Sequence, residues 1–145
     1  MSGPMRLPLG KTIRIVGAVA GILGVTVVAL LAYALRTVCG NDLVREYVSP
    51  DGGKKVVVFQ RSCGATTGFS TQASLLEANA AFPWRAGNLF AADLMNVTAP
   101  AAPWGGPDLQ VHWEGSNKVT LQRDPKARVW FCASQVLGVE VRCFP

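Results

Sequence analysis

The residues of this 145-residue chain with the clearest chemical potential lie between positions 63 and 72, in the segment CGATTGFSTQ. It contains one thiol and four hydroxyl groups, on Cys63, Thr66, Thr67, Ser70 and Thr71. On a flexible loop with two glycines, such a group could be a nucleophile, or its oxygen could cap the amides of its own turn. Turn chemistry explains the composition better, since short oxygens satisfy neighbouring amides while glycines adopt positive φ. The four hydroxyl residues therefore remain weak binding candidates, with an anion site made of backbone amides as an alternative.

A catalytic hydroxyl would need a base beside it, and the chain has a single histidine, His112. It lies between Val111 and Trp113 in an alternating pattern, which predicts a position on the wet face of a strand. The sequence GFSTQ lacks the second glycine and the strand-to-helix elbow of the G-x-S-x-G nucleophile motif. We therefore predict no catalytic residue, interpret His112 as a surface side chain and expect no cofactor.

Four tryptophans could provide a carbohydrate or peptide platform. Trp113 falls on the inward side of its predicted strand and is more simply a core residue. Trp104 lies in the proline- and glycine-rich loop at 99–107, APAAPWGGP, where no regular element would bury it. It is the tryptophan that we select as a binding candidate.

The four cysteines are even in number, which is typical of disulfides in an oxidising compartment. They allow three pairings. Cys132 and Cys143 flank a predicted chain reversal around Leu137-Gly138, which favours a bridge across a tight hairpin and leaves Cys39 for Cys63. The second bridge would stabilise the fold by about 3 kcal/mol. No two cysteines are nearer than 11 residues, so C-x-x-C zinc knuckles are missing and no metal site is predicted.

An apolar segment accounts for the high mean hydropathy of +0.27. Residues Ile15 to Leu35 form a run of 21 residues without a charge. As a helix it would span about 31 Å, the thickness of a bilayer's hydrocarbon core. The run predicts one transmembrane helix at 15–35.

The flanking charges predict how this helix is oriented. Three of the 14 cations, Arg6, Lys11 and Arg14, precede the apolar run, so the positive-inside rule places residues 1–14 in the cytoplasm. Residues 36–145 then lie across the membrane, with 11 cations against nine acidic residues. This distribution of charge argues against a nucleic-acid partner, because that would require cations clustered on a folded face. An uncleaved signal anchor is favoured, and cleavage after Ala34, in the small-x-small sequence Ala-Tyr-Ala, is the alternative.

Beyond the membrane segment the pattern is one of short strands separated by turns. LVREYV and KKVVVFQRSC flank the turn SPDGG, and an alternating pair, 109–114 and 118–122, flanks Gly115-Ser116-Asn117. Further strands are predicted at 74–76, 88–92, 128–133 and 139–144, with one short helical candidate at 75–81. About seven or eight strands at this spacing predict a mainly β fold: a small antiparallel sandwich or open barrel after one N-terminal transmembrane helix.

Three segments together resemble a family of uncharacterised small bacterial proteins with an N-terminal membrane segment, a domain of unknown function. They are Cys39-Gly40-Asn41, SPDG at 49–52 and VVFQRSCGATTGFSTQ at 57–72. A weaker similarity extends to GPDLQVHW at 106–113 and PKARVWF at 125–131. The resemblance implies bacterial origin and an envelope location, and it transfers no catalytic residue. Ser62 stands where that family is expected to carry an aspartate.

These observations lead to three functional hypotheses. The first is a non-enzymatic inner-membrane protein whose periplasmic domain binds an envelope protein or a polar ligand through residues 64–72 and Trp104. The second is an envelope hydrolase that uses a serine or threonine of the same segment. The third is a small accessory subunit of a membrane complex, in which the helix glycines form the packing face.

Overall fold

The computed structural model describes residues 9–37, 39–64 and 67–145. The chain divides into two compact units, and the second comprises Cys39–Pro145. The first contains helix α1, Leu9–Thr37, of which Gly10–Ala34 is long and apolar enough to cross a membrane. The helix is longer than the predicted run of 15–35 because a helix satisfies its own backbone hydrogen bonds and continues into the polar flanks. The predicted tail at 1–14 lies partly outside the described residues, and from Leu9 it is helical.

Among the described residues of the second unit, nine strands form two sheets. The five-stranded sheet has the order β1 (Gly40–Val48), β2 (Lys54–Ser62), β3 (Ser70–Glu77), β4 (Phe90–Asp93) and β7 (Arg128–Cys132). The four-stranded sheet has the order β5 (Leu109–Trp113), β6 (Lys118–Arg123), β9 (Val139–Phe144) and β8 (Gln135–Val136). The described strand pairs are antiparallel apart from β6 and β9, which run parallel.

The two sheets share one hydrophobic core. Strands β2, β3 and β4 contribute Val56, Val58, Ala73, Leu75 and Phe90, and strands β5, β6 and β9 contribute Leu109, Val111, Val119, Leu121, Val139 and Val141. Alternate residues of each strand point into this layer, as the period of two requires. The predicted fold class is confirmed: an N-terminal apolar helix precedes a small, mostly antiparallel β domain, and the shared core makes it a sandwich.

The predicted helix at 75–81 is wrong. Strand β3 continues through Leu75 to Glu77, and Leu75 is fully buried opposite Val56. Burial in the sheet therefore overrides a short helical pattern that has no cap. The predicted strands at 74–76 and 88–92 exist with different ends, since β3 begins at Ser70 and β4 begins at Phe90.

Both disulfides join the cysteine pairs that the sequence favours, but the Cys132–Cys143 bridge does not cross a hairpin as predicted. Cys39 and Cys63 are bridged at the open end of the β1–β2 hairpin. The second bridge joins Cys132 and Cys143, which do not face each other across a hairpin, because β7 and β9 belong to different sheets. The turn at Leu137-Gly138 instead connects β8 to β9. This disulfide therefore fastens the two sheets together.

Candidate binding groove

The outer face of the five-stranded sheet, the face away from the shared core, carries buried apolar residues. Val57 and Phe59 alternate with the core residues of β2 and are nevertheless buried, with Phe59 0% exposed. Residues 78–89 cover this part of the sheet. The ring of Phe82 meets Phe59 edge to face, with 5.6 Å between centroids.

Two residues of the covering segment attach it to β3. Gly87 donates its N–H to the Gln72 side-chain oxygen (2.7 Å), and a Cβ at Gly87 would collide with the backbone oxygen of Ala73. The Asn88 side chain accepts from the N–H of Leu75 (2.8 Å) and donates to its carbonyl (3.0 Å). Asn88 therefore replaces the strand neighbour that Leu75 lacks where the β3–β4 ladder ends.

The covering segment, residues 78–89, leaves open the part of the outer face that runs from Arg61 on β2 to strand β7. Strand register aligns two rows of residues there. The first row, from β2 to β7, is Arg61, Ser70, Asp93 and Arg128, and the second is Phe59, Gln72, Ala91 and Phe131. Polar and apolar side chains thus lie beside each other on one surface.

A β-bulge at the edge of this sheet brings two aromatic rings to the same side. Phe131 pairs with Ala91 and Val129 pairs with Ala92, so that Trp130 is the extra residue of β7. Trp130 is 57% exposed and Phe131 is 43% exposed, whereas Val129 packs against the core. Bulges commonly redirect side chains in this way at sheet edges and next to functional sites.

The outcome is an open groove of about 480 Å³ on the outer face. It is lined by Arg61, Cys63, Thr67, Gly68, Ser70, Gln72, Ala86, Gly87, Ala91, Trp130 and Phe131. This volume lies within the range of small-molecule sites, which typically combine apolar walls with a few polar groups. We call this feature the outer groove.

Arg61 is the cation of the outer groove. One of its terminal nitrogens donates to the side-chain oxygen of Asn41 (2.7 Å) and to the carbonyl of Trp84 (3.3 Å). Both acceptors are neutral, and in the part of the chain that the structure describes no carboxylate forms an ion pair with Arg61. Partial burial lowers the pKa of Arg61 from its usual high value, because desolvation disfavours the charged form.

Next to the groove, Asp93 and Arg128 form a bidentate ion pair. The arginine donates from Nε (2.8 Å) and from a terminal nitrogen (2.6 Å). The Asp93 side chain is 5% exposed and that of Arg128 is 39% exposed. These hydrogen bonds raise the pKa of Arg128, whose guanidinium also lies 5.3 Å from the Trp130 ring centroid. Arg128 therefore neutralises the charge of Asp93 and also packs against the ring of Trp130.

The candidate hydroxyl groups do not form one site. Thr66 lies outside the described residues. Thr67 lines the groove, and both its hydroxyl and its N–H contact the Gly64 carbonyl at 3.2 Å, as a self-satisfied turn would. Ser70 also lines the groove, where its buried hydroxyl donates to the Arg61 carbonyl and accepts from Gln72.

Thr71 and Trp104 come together on the core side of the sheet. Thr71 is fully buried and donates its hydroxyl to the carbonyl of Pro107 (2.6 Å), while the indole of Trp104 donates to the same hydroxyl (2.8 Å). A Cβ at Gly106 would collide with that oxygen. The two binding candidates Thr71 and Trp104 are therefore hydrogen-bonded to each other, and neither of them lines the outer groove.

The structure also places the two groups considered for catalysis. Cys63 lines the groove with its sulfur in a disulfide. His112 is exposed on the four-stranded sheet, whereas Ser70 belongs to the five-stranded sheet. Among the described residues, the hydrogen-bond partners of the Ser70 hydroxyl are a backbone carbonyl and an amide side chain. Neither partner is a general base.

Sequence reasoning did not identify Phe131 or the role of Arg61. Two adjacent aromatics in a strand, Trp130 and Phe131, are the available signal, since strict alternation would expose only one of them. The bulge that exposes both depends on pairing with β4, which is not visible locally. Comparison with known proteins found no match to the chain among protein-family models, curated proteins or solved structures.

Proposed function

We propose that this protein is a single-pass bacterial inner-membrane protein whose β domain lies in the periplasm and binds an envelope protein or a polar ligand without catalysis. Helix α1 supports the membrane assignment, because its side chains from Gly10 to Ala34 are apolar in the main and exposed. The two disulfides support an oxidising compartment. The cations at Lys11 and Arg14 favour a cytoplasmic N-terminus.

The outer groove is the observation that carries the binding function. Trp130 and Phe131 are large, exposed and adjacent, and Arg61, three strands away on β2, supplies a positive charge at the other end of the groove. Tryptophan and arginine are enriched among the residues that dominate binding energy in interfaces. The hydrolase hypothesis finds no comparable support, because the described hydrogen-bond partners of Ser70 are a backbone carbonyl and an amide side chain.

The location is tested with reporters fused after Pro145. Alkaline phosphatase, which is active only in the periplasm, should be active in this fusion, and a fluorescent protein that matures only in the cytoplasm should remain dark. The reverse pattern would refute the periplasmic assignment. It would also remove the oxidising environment that the disulfides require.

The binding function is tested by photocrosslinking in the intact membrane. A photoreactive phenylalanine analogue in place of Phe131 should give a discrete adduct, whose mass distinguishes a protein from a small ligand. The same analogue in place of His112, on the opposite side of the sandwich, is the control and should give none.

Blocking the groove should abolish that adduct. Gly68 lines the groove, and a Cβ there would meet no atom within 4 Å, so Gly68→Trp fills the space with little strain. His112→Trp adds the same bulk to an exposed position elsewhere. Equal crosslinking in both variants would show that the groove is not the binding site.

A further inference from the structure

The charge balance of the outer groove indicates what class of ligand it binds. Of the four ion pairs among the described residues, none involves Arg61. The nearest carboxylate along its row is Asp93, which is two strands away and bonded to Arg128 through both oxygens. None of the described residues that line the groove is acidic. A partly buried positive charge therefore lies at one end of a groove whose described lining residues carry no negative charge to repel an anion.

Most of the remaining surface of the groove is apolar. The bulged pair Trp130 and Phe131 forms one wall, and Ala91 lies on the floor between them and β3. Aromatic rings of this kind pack against planar or flexible apolar groups. The guanidinium of Arg128 lies against the Trp130 ring, and its charge is already paired with Asp93. It therefore supports the wall and leaves Arg61 as the uncompensated charge.

The polar side chains of the floor also favour an anion at Arg61. The side-chain oxygen of Gln72 accepts from Gly87, and its amide nitrogen donates to Ser70 (3.1 Å). The hydroxyl of Ser70 in turn donates to the Arg61 carbonyl. The described acceptors of this floor are thus engaged within the protein, and a ligand gains most from Arg61 by presenting a negative oxygen.

We propose that the outer groove binds a small organic anion that has one carboxylate-class group at Arg61 and a compact apolar body against Trp130 and Phe131. This ligand class presupposes the binding function proposed above and makes it specific. A volume of about 480 Å³ suits a single small molecule in solution. A charge-assisted hydrogen bond to arginine supplies selectivity for the anion, and apolar packing against the aromatic wall supplies affinity that does not depend on charge.

The test uses two probes with the same body, 2-naphthoate and its neutral analogue 2-naphthamide. Binding is measured by ligand-observed NMR titration on the full chain in nanodiscs of zwitterionic lipid. Naphthoate should bind about tenfold more tightly than naphthamide, as expected for a hydrogen bond to a charged group. Arg61→Gln should bring the two affinities within about twofold of each other, and Arg61→Lys should retain most of the preference.

Three further variants complete the test. Arg142→Gln removes an exposed cation from the opposite side of the sandwich and should leave both affinities unchanged. Trp130→Ala should weaken both probes by the same factor, and Gly68→Trp should abolish binding of both. A thermal melt of each variant verifies that it folds. If Arg61→Gln does not fold, Arg61→Lys still tests the inference.

The outcomes separate this inference from the proposed function. If both probes bind equally and Gly68→Trp blocks both, the groove binds ligands but does not select anions, and only the present inference is overturned. If neither probe binds but the Phe131 position still gives a crosslink, the groove has a binding partner that is not a small organic anion. This outcome also overturns only the present inference. Binding of neither probe without a crosslink overturns both proposals. Displacement of naphthoate by nanodiscs containing anionic lipid would identify a lipid headgroup as the ligand and would overturn the proposal that the ligand is a small molecule free in solution.

Discussion

The two outer faces of the sandwich differ in what they present to their surroundings. On the four-stranded sheet most outward side chains are polar and solvated, as in Gln110, His112 and Gln122, whereas Phe144 at the end of β9 is apolar and exposed. On the five-stranded sheet Val57 and Phe59 face outward and are nevertheless buried. An antiparallel sheet needs only one apolar face to form a sandwich. The second apolar face therefore requires its own cover, and the outer groove lies where that cover ends.

The difference teaches where to look for function in a fold of this kind. The four-stranded sheet balances its outward charges locally, through Glu114 with Lys118 and Glu140 with Arg142. Among the described residues, the five-stranded sheet leaves Arg61 without a carboxylate partner and exposes the adjacent rings of Trp130 and Phe131. The first face pairs its charges and exposes a single phenylalanine ring at the end of β9, whereas the second combines an unpaired charge with two adjacent exposed aromatic rings.

The largest expected effect comes from removing the buried ring of the covered face. Phe59→Ala should lower the free energy of unfolding by about 3–5 kcal/mol, because it deletes a fully buried ring and leaves a cavity under Phe82. The measurement is urea unfolding of the full chain in detergent, followed by tryptophan fluorescence. Gln122→Ala on the other face should stay within about 0.5 kcal/mol of the natural protein. A loss under about 1 kcal/mol for Phe59→Ala would mean that this face is not a second core.

A smaller effect should follow from disturbing the contact that fastens the cover. Gly87→Ala should cost about 3 kcal/mol, because the added methyl group collides with the backbone of Ala73, which cannot move out of the way as a side chain could. Gly68→Ala is the matched control, because the space at Gly68 is open, and it should be close to neutral. Equal stability of the two variants in the same urea assay would contradict the close approach of residues 78–89 to β3.

The alternating strands and the local turns of this fold could be predicted from the sequence. The hairpin of β5 and β6 lies where it is predicted, with one end of each strand shifted by one residue. The turn after Ser49 closes with a bond from Gly52 N–H to the Ser49 carbonyl (2.9 Å) and a φ of 71° at Gly52. Each of these features depends on residues that are close in the chain. For that reason a local pattern was sufficient.

Features that depend on distant partners could not be predicted. Thr71 reads as a loop residue because of its hydroxyl, but its hydrogen bonds to Pro107 and Trp104 allow it to be buried in a strand. The exposure of Trp130 depends on a bulge against β4, and the Cys132–Cys143 bridge depends on which sheet each strand joins. Residue types were informative, and long-range pairing decided their roles.

The two faces also offer a matched pair of ion pairs. Arg128→Leu should lower the free energy of unfolding, because it leaves the buried Asp93 carboxylate without its cation. The loss should be smaller than for a fully buried pair, because Arg128 is partly exposed. Arg142→Leu breaks an ion pair whose two side chains are each 52% exposed and should cost under about 1 kcal/mol. Equal losses in urea unfolding would remove the electrostatic difference between the faces.

The smallest effect should be an acid dependence that belongs to the solvated face. Hydrogen bonds from Lys118 and then Thr120 lower the pKa of Glu114 below its ordinary value. The folded state therefore favours the charged carboxylate, and this stabilisation is complete above the ordinary glutamate pKa of about 4.3 and is lost as the pH falls through the lowered folded pKa. Glu114→Gln should be slightly less stable at pH 6, and the difference from the natural protein should vanish at low pH. Because Glu114 is exposed to solvent, 1 M salt should also shrink the difference at pH 6. A stability difference that is the same at every pH and salt concentration would assign the effect of Glu114 to packing, and the solvated face would then resemble the covered one.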